Sequence, residues 1–567
     1  MQFNLAEAPF SRFGAYLAIE QIRASAQCAA GIYVRTLHSD APRAEICRIE
    51  LLCDEQVRDN CTVSGAVHAT PSLLRIEDGT DHLDICFADE NTLRLRGRGV
   101  GLRLSFDVAL YDSALPWSGG WLINSFSNRM RYALLVGSGS VRRSELIAAE
   151  SRWIFDCVPD AAGVCEIAFG EALLQWPQPN ELFARDFSVC RRDVEREFGQ
   201  WLQATPVVPD EFSAARELAA YVQWSSVVSA QGNFSRRAML MSKHWLNAVW
   251  SWDHCFNAMA LFAQHPVLAW DQFMLMFDRQ ARRGVLPDCV GDKTQIWNFC
   301  KPPIHGLTLR WMLRHGEISR AQLQEVYEPL TRWTEWWLTA RTESDGLPQY
   351  LHGNDSGWDN ASMFDAGLPV QSPDLSAFLI LQMDALADLA RRLERARAAQ
   401  QWRERADALL EKMLARFWRD NRFIALHNDQ PCSGDSLLLL LPIVLGERLP
   451  KIIQRELIAA LKQENRFLTG HGLASESIAS SLYTVDGYWR GPIWAPAAFL
   501  IVDALRVLGE MDFANEIARR FCATVARSGM AENFDALTGA GQRDRAHTWT
   551  ASVFLLLAHS LENVESK

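Results

Sequence analysis

At 567 residues the chain is too long for one ordinary core, so at least two domains are expected. Its 68 acidic against 57 basic side chains leave a net charge of −11, which argues against nucleic acid or an anionic membrane as the main partner, because both require a basic face. Hydrophobic residues make up 49% and charged residues 22%, a globular balance that argues against disorder.

Residues Met1 to Glu7 lack a basic stretch leading into an apolar run, and no apolar run reaches the length of about 18 residues that a membrane span needs. The cytoplasm is therefore the expected location. The 13 cysteines are scattered without a C-x-x-C pair, which suits reduced, buried thiols and implies neither metal nor cofactor. From residue 1 to about 185 the texture is β. Runs such as Gly31 to Leu37, Ile46 to Leu52, Leu83 to Phe87, Gly101 to Leu110, Arg131 to Gly137, Ser151 to Val158 and Val164 to Phe169 are broken by Gly, Asp, Asn and Pro. The intervening helical periods of a βαβ arrangement are missing, so a β-sandwich is expected. Residues 186–207 predict a charged linker helix that Pro206 and Pro209 bring to an end.

From 208 to 567 the spacing predicts twelve helices, near 208–230, 252–264, 266–283, 303–315, 320–341, 374–396, 399–418, 433–446, 450–463, 491–509, 510–527 and 546–561. Long loops rich in Trp, Asp, Asn, Gly and Pro precede the second, fourth, sixth, tenth and twelfth, while the other loops are mostly short. Six helical hairpins closed into a double-layered barrel would give this alternation, with the pocket at the end where the long loops gather. The fold class is thus α+β and multidomain, an N-terminal β-sandwich followed by an (α/α)6 barrel.

Tryptophan is the unusual count, 21 in all and 16 of them between Trp224 and Trp549. Most would fill the core, but Trp252, Trp358 and Trp489 each stand beside a charged residue, and an exposed indole there suits a sugar ring. Four loops hold the chemistry: His244 to Asp253, Gly353 to Asn360, Asp486 to Trp494 and Gly529 to Gly539. The second offers two carboxylates, two amides, a hydroxyl and an indole within eight residues, an inventory for gripping a polyol and moving a proton.

Cleavage of a glycosidic bond with inversion needs one carboxylic acid for the leaving oxygen and one carboxylate for water, roughly 6.5–9.5 Å apart. Asp359 and Glu532 precede the sixth and twelfth helices, so a closed ring would face them across its mouth. Asp253 is the first choice among the other acids for holding a substrate hydroxyl, ahead of Asp355, Asp365, Glu476 and Asp535. The two catalytic environments are expected to push Asp359 upward in pKa and to keep Glu532 low.

Four motifs in order, Trp250-Ser251-Trp252-Asp253-His254, Asp355-Ser356-Gly357-Trp358-Asp359-Asn360, Tyr488-Trp489-Arg490-Gly491-Pro492-Ile493-Trp494 and Ala531-Glu532-Asn533-Phe534-Asp535, resemble those of the clan of (α/α)6-barrel inverting glycoside hydrolases. The resemblance covers roughly 230–560 and is closest to glycoside hydrolase family 63, which contains the processing α-glucosidase, with the family 37 trehalases as neighbours. It implies that Asp359 is the general acid and Glu532 the general base. By the same resemblance Trp252, Asp253, Trp489, Arg490 and Trp494 line the sugar subsite, without metal or cofactor at the catalytic centre, and the loop residues Asp355, Trp358 and Asn360 are further candidates for binding the sugar. Asp355 stands where many relatives have Glu, and Ala361 where many have a small hydroxyl, which bears on the sugar and aglycone more than on the reaction. The implied substrate is a small α-glycoside, most simply an α-glucoside, with trehalose, glucosylglycerate and mannosylglycerate as alternatives. A sugar-binding protein with an inactive barrel is the reading from another class.

Overall fold

The computed structural model describes residues 1–25, 28–39, 44–53, 56–58, 67–117, 119–147, 151–171 and 182–565. Part of the expected β region, 172–181, lies outside the described residues. Each of the named apolar runs falls on a strand. The strands form two eight-stranded sheets. One holds Gly31–Thr36, Glu45–Cys53, Gly101–Asp107 and Arg152–Val158 side by side, and the other holds Met130–Ser138, Val164–Glu171, Thr92–Arg98 and Asp81–Phe87. All these pairings are antiparallel.

Alternation decides which side chains meet between the sheets. In Gly101–Asp107 the buried Leu102, Leu104 and Phe106 alternate with Arg103, Ser105 and Asp107, of which Arg103 reaches across to its register partner Asp156 at 2.6 and 2.8 Å. Phe106 of the first sheet lies 6.0 Å from Phe169 of the second, and Trp121 of the second 5.4 Å from Phe155 of the first. These aromatic pairs join the two sheets into one apolar layer.

Helix α1, Phe187–Ala204, is the expected linker helix, capped by the Asp186 carboxylate on the Ser188 N–H. The twelve expected helices then follow in order: α2 Ser213–Ser226, α3 Asp253–Leu261, α4 Pro266–Met274, α5 His305–His315, α6 Arg320–Ala340, α7 Pro373–Arg392, α8 Ala396–Phe417, a segment at Leu437–Arg448, α9 Lys451–Lys462, α10 Ala495–Val507, α11 Met511–Ser528 and α12 Thr548–Glu565. The segment Leu437–Arg448 is 3₁₀ and not α, with Pro442 inside it and Gly446 at φ 55° breaking its end.

Six of these elements close a ring. Helix α3 touches α5, α5 touches α7, α7 touches the 3₁₀ segment, which touches α10, then α12, and α12 returns to α3. The others pack outside: α2 on α12, α4 on α3, α6 and α8 on α7, α9 on the 3₁₀ segment and α11 on α10. Sequence explains the layering. All nine residues of α3 are buried, and Pro373 to Ala390 of α7 are buried but for Asp388, as suits an element with neighbours on every side. In the outer α8 only Trp402, Ala406, Leu409, Met413 and Phe417 are buried, one helical face at i, i+3 and i+4. The N-termini of the inner helices share one end, where the long loops gather.

Candidate active site

The Asp359 loop is shaped by two glycines. Gly353 opens a 3₁₀ turn, Gly353–Ser356, and a Cβ there would meet the Asp359 carbonyl at 1.9 Å. Gly357 ends the turn at φ +72°, where a Cβ would stand 2.6 Å from the Trp252 indole. The close approach brings the loop against the start of α3, so Asp253 and Asp359 face one cluster.

The centre of that cluster is Lys301, just ahead of α5 and 4% exposed. Its ammonium lies 3.4 Å from Asp359 Oδ1, 3.4 Å from Asp288 Oδ1 and 3.0 Å from the Asn354 carbonyl. Burial alone would depress the lysine, but Asp359, Asp288 and Asp253 together hold it above its ordinary value. Asp253 is pushed up to about 8, chiefly by burial, with Lys301 opposing and the charges of Asp359 and Asp288 adding to it. Asp288 is raised by burial too, against the pull of Lys301. Three carboxyls around one ammonium carry an excess of negative charge, and the buried Asp253 is the one that retains its proton at neutral pH. Oδ2 of Asp253 has no hydrogen-bond partner in the protein.

Glu532 comes from the loop before α12. Its carboxyl is pushed up to about 7, first by burial and then by the Asp544 charge, while Arg543, the Asp544 N–H and the Tyr488 hydroxyl pull the other way. The direction is opposite to the one expected from sequence, because burial outweighs the donors. Tyr488 donates its hydroxyl to Glu532, and burial together with the charges of Asp359, Glu532 and Asp253 raises its own pKa. One tyrosine therefore stands within electrostatic reach of both expected catalytic carboxyls. Its backbone is held at φ 63°, uncommon for an aromatic residue, and its carbonyl accepts from Trp494 Nε1 at 2.9 Å.

The remaining expected ligands divide into two groups. Trp252, Trp358, Trp489 and Trp494 do come together, but as a mutual stack. Trp489 lies 3.9 Å from Trp494 and 4.6 Å from Trp358, and 6.2 Å from Trp252. None is more than 3% exposed, so the expectation of open indole faces does not hold for them: packed rings wall the site. The more exposed indoles at this end are Trp245 and Trp297, at 56% and 43%.

Asp355 is 1% exposed, and its oxygens accept from Cys300 N–H, Arg341 and Leu351 N–H at 2.9–3.1 Å. Protein donors thus reach both oxygens of this expected sugar ligand, and the residue fixes the loop. Asn360 likewise ties two loops, donating to the Gly487 carbonyl and accepting from Trp489 N–H. Arg490 pairs with Asp365 and donates to the Asn360 carbonyl. Of the rival acids, Glu476 is occupied by Ser362, Ser480 and Asp435 N–H, and Asp535 by Thr538 and Leu537 N–H. Asp253, Asp288, Asp359 and Glu532 are left with capacity for a ligand.

Asp288, Lys301, Tyr488, Arg543 and Asp544 are the site residues that sequence reading missed. Tyr488 opens the third motif but was given no role, and Lys301 ends the long loop before the fourth expected helix, so loop position alone could have flagged both. Asp288 and Asp544 carry no local signal beyond a polar loop. The residues His254, Cys255 and His305 beneath Asp253 form a buried cluster with metal-ligand chemistry, their ligand atoms all within 4.8 Å of one another.

The family model of the mannosylglycerate hydrolase MGH1-like glycoside hydrolase domain matches residues 247–550. A mannosylglycerate hydrolase from Rubrobacter radiotolerans is 23% identical over 399 residues, covering 54% of this chain and 89% of that protein. Among solved structures, a family 63 mannosylglycerate hydrolase from Thermus thermophilus in complex with Tris and D-glycerate superposes with a TM-score of 0.53 at 18% identity, covering 60% of this chain and 98% of that one. A bacterial glucoamylase complexed with acarbose superposes with a TM-score of 0.65 at 12% identity over 99% of this chain and 95% of that one, a likeness of fold that takes in the β-rich region.

Proposed function

The chain belongs to the mannosylglycerate hydrolase MGH1-like family of glycoside hydrolases, and from that premise we propose that it cleaves the α-glycosidic bond of a small glycoside with inversion, Asp359 protonating the leaving oxygen and Glu532 activating water. In this reading residues 1–185 are a β-sandwich domain, 186–207 a linker helix and 208–567 the catalytic barrel. The sandwich rests on the aromatic contacts between the two sheets.

The observation that carries the site is the pairing of environments. Asp359 lies beside Lys301 at the edge of the carboxyl cluster, and it is the most exposed of the acids there, its side chain 27% accessible against 8% for Asp288. Glu532 answers across Tyr488 with a carboxyl near pH 7, a stronger base than an ordinary glutamate and still ionised in mildly alkaline solution. Asp253, with one unpartnered oxygen, is the ligand for a sugar hydroxyl. The names of the family's members favour a glycoside of glycerate, mannosylglycerate first. The motif resemblance to the processing α-glucosidase supports an α-glucoside as the second reading.

Hydrolysis of mannosylglycerate, glucosylglycerate, trehalose and α-linked disaccharides, with the first-formed anomer followed by NMR, tests the proposal. A β-anomer from an α-substrate is expected, and retention or a trapped glycosyl-enzyme would overturn the mechanism. The acid limb of kcat/KM should lie near 7. A base must be ionised to act, so the rate falls as pH drops through the value that burial gives Glu532, and Glu532→Gln should abolish that limb.

A further inference from the structure

A line of buried polar side chains reaches Glu532 from outside the barrel. It begins with Glu20, in the strand Leu17–Ile22, and Arg35, in the neighbouring strand Gly31–Thr36. Their side chains are 1% and 3% exposed and form an ion pair. The other Glu20 oxygen lies 2.5 Å from His244 Nε2, and Arg35 donates to the His244 carbonyl at 2.6 Å. On the far side of the imidazole, Nδ1 faces Asp544 Oδ1 at 3.9 Å. Asp544 in turn accepts from Trp245 N–H at 3.1 Å and from Ala546 N–H at 2.9 Å.

The last link is backbone. The Glu532 N–H donates to the Asp544 carbonyl at 2.7 Å, and the Asp544 N–H points back at the Glu532 carboxyl. Four buried polar groups of this kind cost desolvation that apolar residues of the same size would avoid, so their presence calls for a role beyond stability. The two-carboxylate reaction uses none of them directly.

We propose that Glu20, His244 and Asp544 are positioning residues for Glu532, a chain through which the β-rich region fixes where the water-activating carboxylate sits. The inference rests on the reading of Glu532 as the base. The charged and titratable groups around Glu532 are Asp544, Arg543 and Tyr488, and Asp544 is the one whose charge raises it.

The test uses the full-length protein and the best substrate of the glycoside panel. Asp544→Asn keeps the shape and removes the charge. It is expected to lower kcat about 10- to 100-fold through misplacement, to leave KM within about threefold, and to move the acid limb to lower pH. Glu20→Gln touches nothing on Glu532, yet it should lower kcat severalfold and add no further loss in the Asp544→Asn background, because both act on one line. Thermal unfolding of each variant checks the fold, and His244→Gln takes the remote position if Glu20→Gln does not fold.

Wild-type kcat and an unmoved acid limb in Asp544→Asn would overturn the inference, as would losses from the two positions that simply multiply. If Glu532→Gln is as active as wild type, the base assignment fails and the inference with it. If Glu532→Gln is dead and Asp544→Asn unchanged, only the inference fails.

Discussion

Asp359 has an ammonium 3.4 Å away and a carboxyl cluster behind it, so its replacement by Asn preserves the contour of the loop and removes the proton. On an unactivated glycoside, turnover of Asp359→Asn is expected to fall by about 10²–10⁴-fold with the fold intact. An aryl glycoside or glycosyl fluoride, which needs no proton on its leaving group, should suffer far less, and equal losses on both would mean that Asp359 only binds. Asp253 permits a prediction of the opposite kind. Its carboxyl, ordinarily at 3.8, is held near 8 by burial, so the folded state keeps a proton that the unfolded chain releases. Stability therefore falls as pH rises from about 4 to about 8, where the unfolded state binds fewer protons than the native one. Asp253→Asn removes that penalty: its melting temperature relative to wild type should be higher at pH 9 than at pH 5, while activity drops. Equal differences at the two pH values would show that Asp253 ionises freely in the fold. At this scale the sequence displayed the motif carboxylates well and their surroundings poorly. Asp355 and Asp359 sit four residues apart in one polar loop, and only the placement of Arg341 and Cys300 shows that the first is consumed by the protein. Lys301, Asp288 and Tyr488 are brought together by ring closure, which no local pattern encodes.

The elements were far more legible than the side chains. Twelve helices follow from apolar period and caps, such as the Ser319–Gln322 capping box of α6, because packing on all sides or on one face writes itself into the composition of each segment. The exception, Leu437–Arg448, has apolar residues at every register and a proline, so its period could not tell a 3₁₀ course from an α-helical one. The loops obey a different logic, visible at Gly357. An alanine there would need the left-handed region and would press on Trp252, which lies 5.9 Å from Trp549 and 6.2 Å from Trp489. Gly79, at φ +66° with nothing within 4 Å of where a Cβ would stand, separates the two costs. Gly79→Ala should show only the backbone cost, about 1 kcal/mol, and full activity. Gly357→Ala should melt lower than Gly79→Ala and lose turnover, since the Trp252 ring cannot yield without moving Asp253. Matching melting temperatures and activities for the two variants would mean that the aromatic wall is slack.

Across the whole molecule, the β-rich region and the helical ring share one apolar core that runs from Leu5 to Leu561. Phe3 stacks on Tyr221 of α2 at 4.2 Å, and the Tyr221 hydroxyl bonds the Pro9 carbonyl at 2.8 Å. His38 meets Asp292 at 2.5 Å, four residues beyond Asp288 in the chain. Lys243, 2% exposed, donates to Ser11 Oγ and to the carbonyls of Arg12, Ala15 and Val227 at 2.6–3.2 Å, so three of its four acceptors come from the first 15 residues. A chain begun near Asp210 would strip Lys243 of three of its acceptors, uncover the Tyr221 face and remove the His38 contact from the loop of Asp288 and Asp292. The fragment is therefore expected to aggregate, or to melt well below the full chain with little turnover. Sedimentation and thermal unfolding of both, with kcat on one substrate, give the comparison. A monomeric fragment with full-length kcat would show that the ring holds its own loops and that the β-rich region serves some purpose other than bracing the site.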